Sequence, residues 1–324
     1  MNQVGSAKEG LKAPLAVKNG ITPSRVWLPK GNWATMGAFL IERFEHVAVA
    51  DLQLRLARGD IVNGDGVAVA FDSPYQADQW LWYYRHVENE VPVPFEMPIL
   101  YADDYLIAVD KPHFLATTPG GRYLQQTALT RVRRHFDDAE ITPLHRLDRE
   151  TAGVLLFCRQ PALRGAYQSL FQSQAVDKRY EAIAHTQPDL HFPLHYRSRI
   201  VAPKGQFLML EQDGEPNSET HIQALKHWHD PVYGDLTHYA LAPTTGRKHQ
   251  LRVHMHALGM PILHDSYYPA GQSPLAEDDF SQPLQLLARF IGFTDPVTQQ
   301  YREFYSQQQL ALAPRDCSAQ QNIT

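Results

Sequence analysis

His145-Arg146-Leu147-Asp148-Arg149-Glu150-Thr151-Ala152-Gly153-Val154-Leu155-Leu156-Phe157 is the stretch on which the reading of this chain turns. A charged cluster runs directly into an apolar run of strand length, so Asp148 sits at the mouth of a buried strand with Arg146 and Arg149 beside it. Opposite charges a few ångströms away favour the ionised form of a carboxylate. An ionised, positioned carboxylate suits a nucleophile or a general base. Taken alone, the charge pattern fits a loop salt bridge at least as well as a catalytic group.

Outward from that stretch, the chain has 324 residues, 44% hydrophobic and 20% charged, enough for one large core and a smaller companion domain. It lacks a run of roughly 18 uninterrupted apolar residues and an N-terminal signal core, so the expectation is a cytoplasmic protein that does not engage a membrane. Cys158 and Cys317 lie too far apart in sequence to suggest a disulfide framework. The net charge of -5 excludes a protein that coats nucleic acid by charge alone, leaving any RNA binding to local basic patches.

Residues 1–25 carry Gly, Ser, Lys and Pro without apolar period and read as a mobile arm. From Trp33 to Val69 the pattern reads helix, helix, hairpin: Phe39, Leu40 and Phe44 share one helical face, Leu52 and Leu56 another, and Asn63-Gly64-Asp65-Gly66 marks a turn. Residues 72–98 place Pro74, Pro92, Pro94 and Pro98 among aromatics and read as a connector, with a domain boundary near residue 95. Short β-like runs follow at 105–109, 154–157, 180–184, 207–210, 238–241 and 284–293, with helical patterns at 127–136 and 161–174. The expected fold is α+β, with a mixed, mostly antiparallel sheet flanked by helices and loops.

Two further segments carry chemistry. Asp177-Lys178-Arg179-Tyr180-Glu181-Ala182 puts a basic pair before an aromatic that opens a strand; Gly246-Arg247-Lys248-His249-Gln250-Leu251-Arg252-Val253-His254 continues through Gly259-Met260-Pro261-Ile262 to Asp265. Tyr180 offers a ring on which a base can stack, a contact worth about 1–3 kcal/mol, or serves as an ordinary core aromatic. Leu251 can pack the core and wall a pocket at once. His249, His254 and His256 are closely spaced candidate zinc ligands, but H-x4-H-x-H is not a metalloprotease spacing and no cysteine lies near; no metal is expected there. Arg131, Arg133 and Arg134, with Lys178, Arg179, Arg247 and Lys248, form a candidate phosphate track, although the three arginines also suit a solvated helix face.

These segments resemble the motifs of the RluA-type RNA pseudouridine synthases. The first is similar to H-R-L-D-x-x-T-S-G with Ala152 in place of Ser, the second to K-x-Y-x-A. The third is similar to G-R-T-H-Q-I-R-V-H-x-x-x-x-G-x-P-I-x-G-D, with Lys248 for Thr and His264 for Gly. The segment 286–304 resembles the family's closing strand, Pro turn and strand, departing at Leu287 and Asp295. The resemblance implies a pseudouridine synthase catalytic domain over 96–324 and an S4-like RNA-binding module with its connector over 26–95. It also implies Asp148 as the essential aspartate, Arg252 as its partner and Tyr180 as the active-site tyrosine. His145, Arg146, Leu147, Thr151, Lys178, Arg247, His249, Gln250 and Leu251 are then the substrate-binding residues, with Arg146 a candidate to fill the space of a flipped nucleotide.

The implied reaction needs no cofactor, metal or obligate protein partner. In a uridine of ribosomal or transfer RNA the C1′–N1 bond breaks, the uracil turns, and a C1′–C5 bond forms, with Asp148 as nucleophile or base. The alternatives are a catalytically silent RNA-binding protein of the same fold and, on the histidines, a metallohydrolase.

Overall fold

The apolar run behind Asp148 is a strand, Ala152–Cys158, and all 7 of its residues are buried. A strand with no polar face has to be covered on both sides, which places it inside a sheet rather than at its rim. The computed structural model describes residues 13–271, 276 and 278–314, and these divide into two compact units. One holds the described residues to Asn89 together with Arg133–Ala139; the other holds Glu90–Val132 and the described residues from Glu140 onward.

The smaller unit runs β1 (Ser24–Leu28), α1 (Met36–Arg43), α2 (Val49–Ala57), β2 (Ile61–Val62) and β3 (Gln79–Tyr83). Its strands form an antiparallel sheet in the order β1-β3-β2. The expected helical faces bury Phe39, Leu40, Leu52 and Leu56 with Leu28 and Leu81 of the strands. Thr35 caps α1 by accepting the Ala38 N–H at 3.1 Å, and Asn63 Oδ1 accepts the N–H groups of Asp65 and Val67 to make the turn.

Two expectations are corrected here. The arm does not extend to residue 25: β1 begins at Ser24, Lys18 bridges Ile21, and Tyr84 donates to the carbonyl of Ala16, while residues 1–12 of the arm lie outside the described residues. The connector holds the central strand of the small sheet, because Gln79–Tyr83 is free of proline and so keeps every N–H the ladder needs.

The larger unit contains β4 (Ile99–Ala102), β5 (Leu106–Lys111), β6 (Thr142–Pro143), β7 (Ala152–Cys158), α4 (Arg164–Gln172), β8 (Asp177–His185), β9 (Leu194–Ser198), β10 (Ile200–Val201), β11 (Leu210–Glu211), β12 (Ser218–Asp230), β13 (Gly234–Pro243), α5 (Gln250–Ala257), β14 (Leu286–Thr294) and β15 (Tyr301–Tyr305). A further helix, α3 (Ala128–Phe136), is shared in sequence between the two units. The main sheet has the order β4-β5-β7-β14-β8-β13-β12-β9, with β15 paired to β14 and β6 to β7.

Every pairing in this sheet is antiparallel except β7 with β14, so the sheet is mixed and mostly antiparallel, as expected. Gly153 makes the parallel contact possible. Its φ is +114°, and a Cβ there would stand 2.2 Å from the carbonyl oxygen of Ala288. The expected run at 207–210 is a strand only from Leu210, and Phe207 is 58% exposed. The run expected at 238–241 lies inside β13, and β12, where the sequence reading left a gap, pairs with it in a long hairpin.

Candidate active site

Several residues of the larger unit's own scaffold grip the loop that carries Asp148. Thr117 Oγ1 donates to the Leu147 carbonyl at 2.7 Å and accepts the Leu147 N–H at 3.1 Å. His145 Nε2 accepts the Leu156 N–H at 3.1 Å, tying the loop to β7, and its ring stacks on Phe171. Buried Lys111 donates to the carbonyls of Pro112, Leu115 and Arg149 at 3.0, 2.8 and 3.3 Å. Burial pulls the Lys111 ammonium down to about 7, with the Asp148 charge opposing the fall.

Opposite the loop, α5 presents Leu251 and Arg252, and β8 presents Lys178 and Tyr180. Arg252 is 1% exposed. Its Nε and Nη2 donate to the two Asp265 oxygens at 2.8 and 2.5 Å, Nη2 also meets Glu150 at 2.7 Å, and the guanidinium lies over the Tyr267 ring at 4.3 Å. The remaining nitrogen, Nη1, is buried without a hydrogen-bond partner and stands 3.8 Å from Asp148 Oδ2. Two carboxylates therefore hold the guanidinium while its free edge faces a third.

His249 precedes α5 with φ 58°, and its Nε2 lies 3.9 Å from Asp148 Oδ2. Burial, more than offsetting the attraction of Asp148, lowers His249 to about 4, so at neutral pH it is an uncharged neighbour. Burial and then the Asp148 charge raise the Tyr180 phenol above its ordinary range, so it stays protonated.

These groups line a cavity of about 410 Å³ that includes Asp148, Tyr180, Leu251 and Arg252. A second cavity of about 740 Å³ shares Arg146, Leu147, Asp148 and His249 with it. Exposed Arg146 lies at the junction and makes no hydrogen bond or ion pair among the described residues. All twelve residues singled out as catalytic or substrate-binding line the smaller cavity.

Several of them are nevertheless engaged within the protein. Gln250 has no hydrogen-bonding capacity left to read a base: its oxygen accepts from Thr245 Oγ1 and the Arg247 N–H, and its nitrogen donates to the Glu219 carbonyl and Thr220 Oγ1. Lys178 donates to the Thr245 carbonyl and burial lowers it to about 8; Arg247 Nε donates to the Asn217 carbonyl. The phosphate track is interrupted as well, because Arg131 spends its guanidinium on Phe95, Val93 and Gln126. Sequence reasoning gave no role to Glu150, Asp265, Thr117 or Lys111. The first two stood inside the motifs quoted, so a buried arginine in need of counter-charges was the signal that could have found them.

A mixed sheet flanked by few helices is the fold of the pseudouridine synthases. The structure of Human RNA Pseudouridylate Synthase Domain Containing 1 matches with a TM-score of 0.53 at 23% identity, covering 65% of this chain and 83% of that one. The sequence profile of the RNA pseudouridylate synthase family matches residues 105–257. An uncharacterized RNA pseudouridine synthase of Synechocystis sp. is 30% identical over 73% of this chain and 80% of its own length. The dual-specificity RNA pseudouridine synthase RluA of Vibrio vulnificus is 30% identical over 64% of this chain and 81% of its own. The tRNA pseudouridine synthase C of Haemophilus ducreyi is 32% identical over 63% and 88%. The chain belongs to the RluA-type family of RNA pseudouridine synthases, isomerases that act on uridines in RNA.

Proposed function

We propose that this enzyme isomerises specific uridines of ribosomal or transfer RNA in the cytoplasm, with Asp148 as nucleophile or base. The observation that carries the reading is the unpartnered Nη1 of Arg252, buried and aimed at Asp148, the carboxylate shared by both cavities. An arginine fixed by Asp265 and Glu150 orients that carboxylate without neutralising it through a closer contact. Tyr180 and Leu251 then form the apolar wall for the uracil, and Arg146 takes the space the flipped nucleotide leaves. The isomerisation needs a proton removed from C5 and one delivered to N1, a transfer that a positioned carboxylate can serve. The names of two relatives, a ribosomal large subunit pseudouridine synthase and a tRNA pseudouridine synthase, support these two RNA classes as substrates.

The test is to map pseudouridine in ribosomal and transfer RNA from cells lacking the protein, complemented with wild type or Asp148→Asn. A position restored by wild type alone supports the assignment. Equal restoration by the variant removes Asp148 from the chemistry, and no affected position favours a silent RNA-binding protein.

We read the smaller unit as an S4-like module that selects the RNA, supported by its helix pair on a small sheet and by exposed Arg43 and Arg58. Replacing both with Glu should raise KM for the natural RNA; an unchanged KM would exclude the role.

A further inference from the structure

Far from Asp148 in sequence, strands β9 and β12 pair so that His195 stands opposite His221 and Arg197 opposite Glu219. Residues two apart on a strand share a face, so these four side chains form a compact grid on one side of the sheet. The two imidazoles stack with centroids 4.2 Å apart and planes 7° from parallel. Both point Nε2 at the same carboxylate oxygen: His195 lies 2.8 Å and His221 3.7 Å from Glu219 Oε1. Arg197 Nε approaches the other oxygen, Oε2, at 3.5 Å, which turns Oε1 toward the rings.

We propose that His195, Glu219 and His221 form a binding site for a divalent transition-metal ion of the zinc class. Their donor atoms lie within 4.8 Å of one another, while a tetrahedral ion with N and O ligands needs them about 3.4 Å apart, a difference that side-chain rotation covers. Two borderline imidazole nitrogens beside a single hard carboxylate suit zinc better than calcium or magnesium, which take mostly oxygen ligands, and the set carries one negative charge. The side chains are 45%, 28% and 55% exposed for His195, Glu219 and His221, which leaves the fourth position to water and gives the ion a path in. Arg197 plays the part of the outer group that orients a ligating carboxylate.

The site is tied to the structure around Asp148 through the backbone. Glu219 donates its N–H to Thr245 Oγ1 at 2.9 Å, and its carbonyl accepts from Gln250 Nε2 at 2.9 Å. An ion here would clamp β9, the terminal strand of the sheet, to β12, the strand to which Thr245 and Gln250 of the following loop are hydrogen-bonded. The closely spaced histidines His249, His254 and His256 are not involved: the ligand set comes from two strands and has no motif.

Full-length protein stripped with a chelator is titrated with Zn²⁺ by calorimetry and with Co²⁺ by visible absorption. The expected result is about one ion per chain in the micromolar range, a thermal midpoint that rises with Zn²⁺, and a Co²⁺ spectrum of four-coordinate intensity. His195→Ala, His221→Ala and Glu219→Gln should each weaken binding at least about tenfold, and these half-exposed positions leave the fold intact. Absence of binding by wild type overturns the proposal. So does equal binding by the His195→Ala/His221→Ala double variant, since the chain has 16 histidines on which an ion can settle elsewhere.

Discussion

Taking a guanidinium out of water costs several kcal/mol unless carboxylates surround it, and Arg252 has two in contact and a third 3.8 Å away. Replacing Arg252 by Gln leaves Glu150 and Asp265 buried without a counter-charge, and urea denaturation should show a loss of about 3–5 kcal/mol. Arg252→Lys keeps the charge and loses the fork, so it should fold better than Gln yet still turn over RNA far more slowly than wild type. The motif letters made Asp148, Tyr180, Leu251 and Arg252 legible as neighbours, and they do share one cavity. The same letters do not reveal that Gln250 is consumed by the loop it stands in, because hydrogen-bond saturation depends on Thr245, Glu219 and Thr220 arriving from elsewhere. His264, where the resemblance has Gly, keeps φ 59°; bonds to Tyr233 Oη and the Pro283 carbonyl hold it in the left-handed conformation that Gly adopts freely.

Among elements, β7 was the easiest to read and β12 the hardest. A continuous apolar run such as Gly153–Phe157 permits only a buried segment, whereas Ser218–Asp230 mixes histidines with isolated apolar residues and shows its alternation only once β9 and β13 flank it. The helix at Gln250–Ala257 was missed because its buried face includes Gln250, Arg252 and His254, residues that do not count as apolar in a periodicity search. Gly153 is the element-scale constraint with the sharpest consequence. Ala at that position meets both the positive φ and the Ala288 carbonyl, so Gly153→Ala should cost at least about 2 kcal/mol in chemical denaturation. Because the strain sits at the β7–β14 contact, the variant should lose activity at temperatures where wild type is still folded.

For the molecule as a whole, Lys111 sets a pH dependence. The unfolded chain holds that proton up to about 10.5, while the folded protein gives it up at about 7. Between those values the unfolded state binds more protons, so the cost of burying the ammonium, fully present below pH 7, is relieved as pH rises. Unfolding free energy should therefore increase by up to about 2 kcal/mol from pH 7 to pH 9. Lys111→Met should flatten that rise; an equal rise in the variant would assign it to other groups, of which Lys178, lowered to about 8, is the nearest candidate.

The sheet order also has a consequence for biosynthesis. β14 lies between β7 and β8, and among the described residues it is the last strand but one to leave the ribosome. Until it arrives, the nascent chain holds two half-sheets with open edges: Asp148 borders one, and Arg252 follows the last hairpin of the other. Open edges are sticky, and a chain stalled before Leu286 would carry both. Competence to modify RNA thus comes at once, on insertion of a single late strand, instead of building up as the polypeptide lengthens.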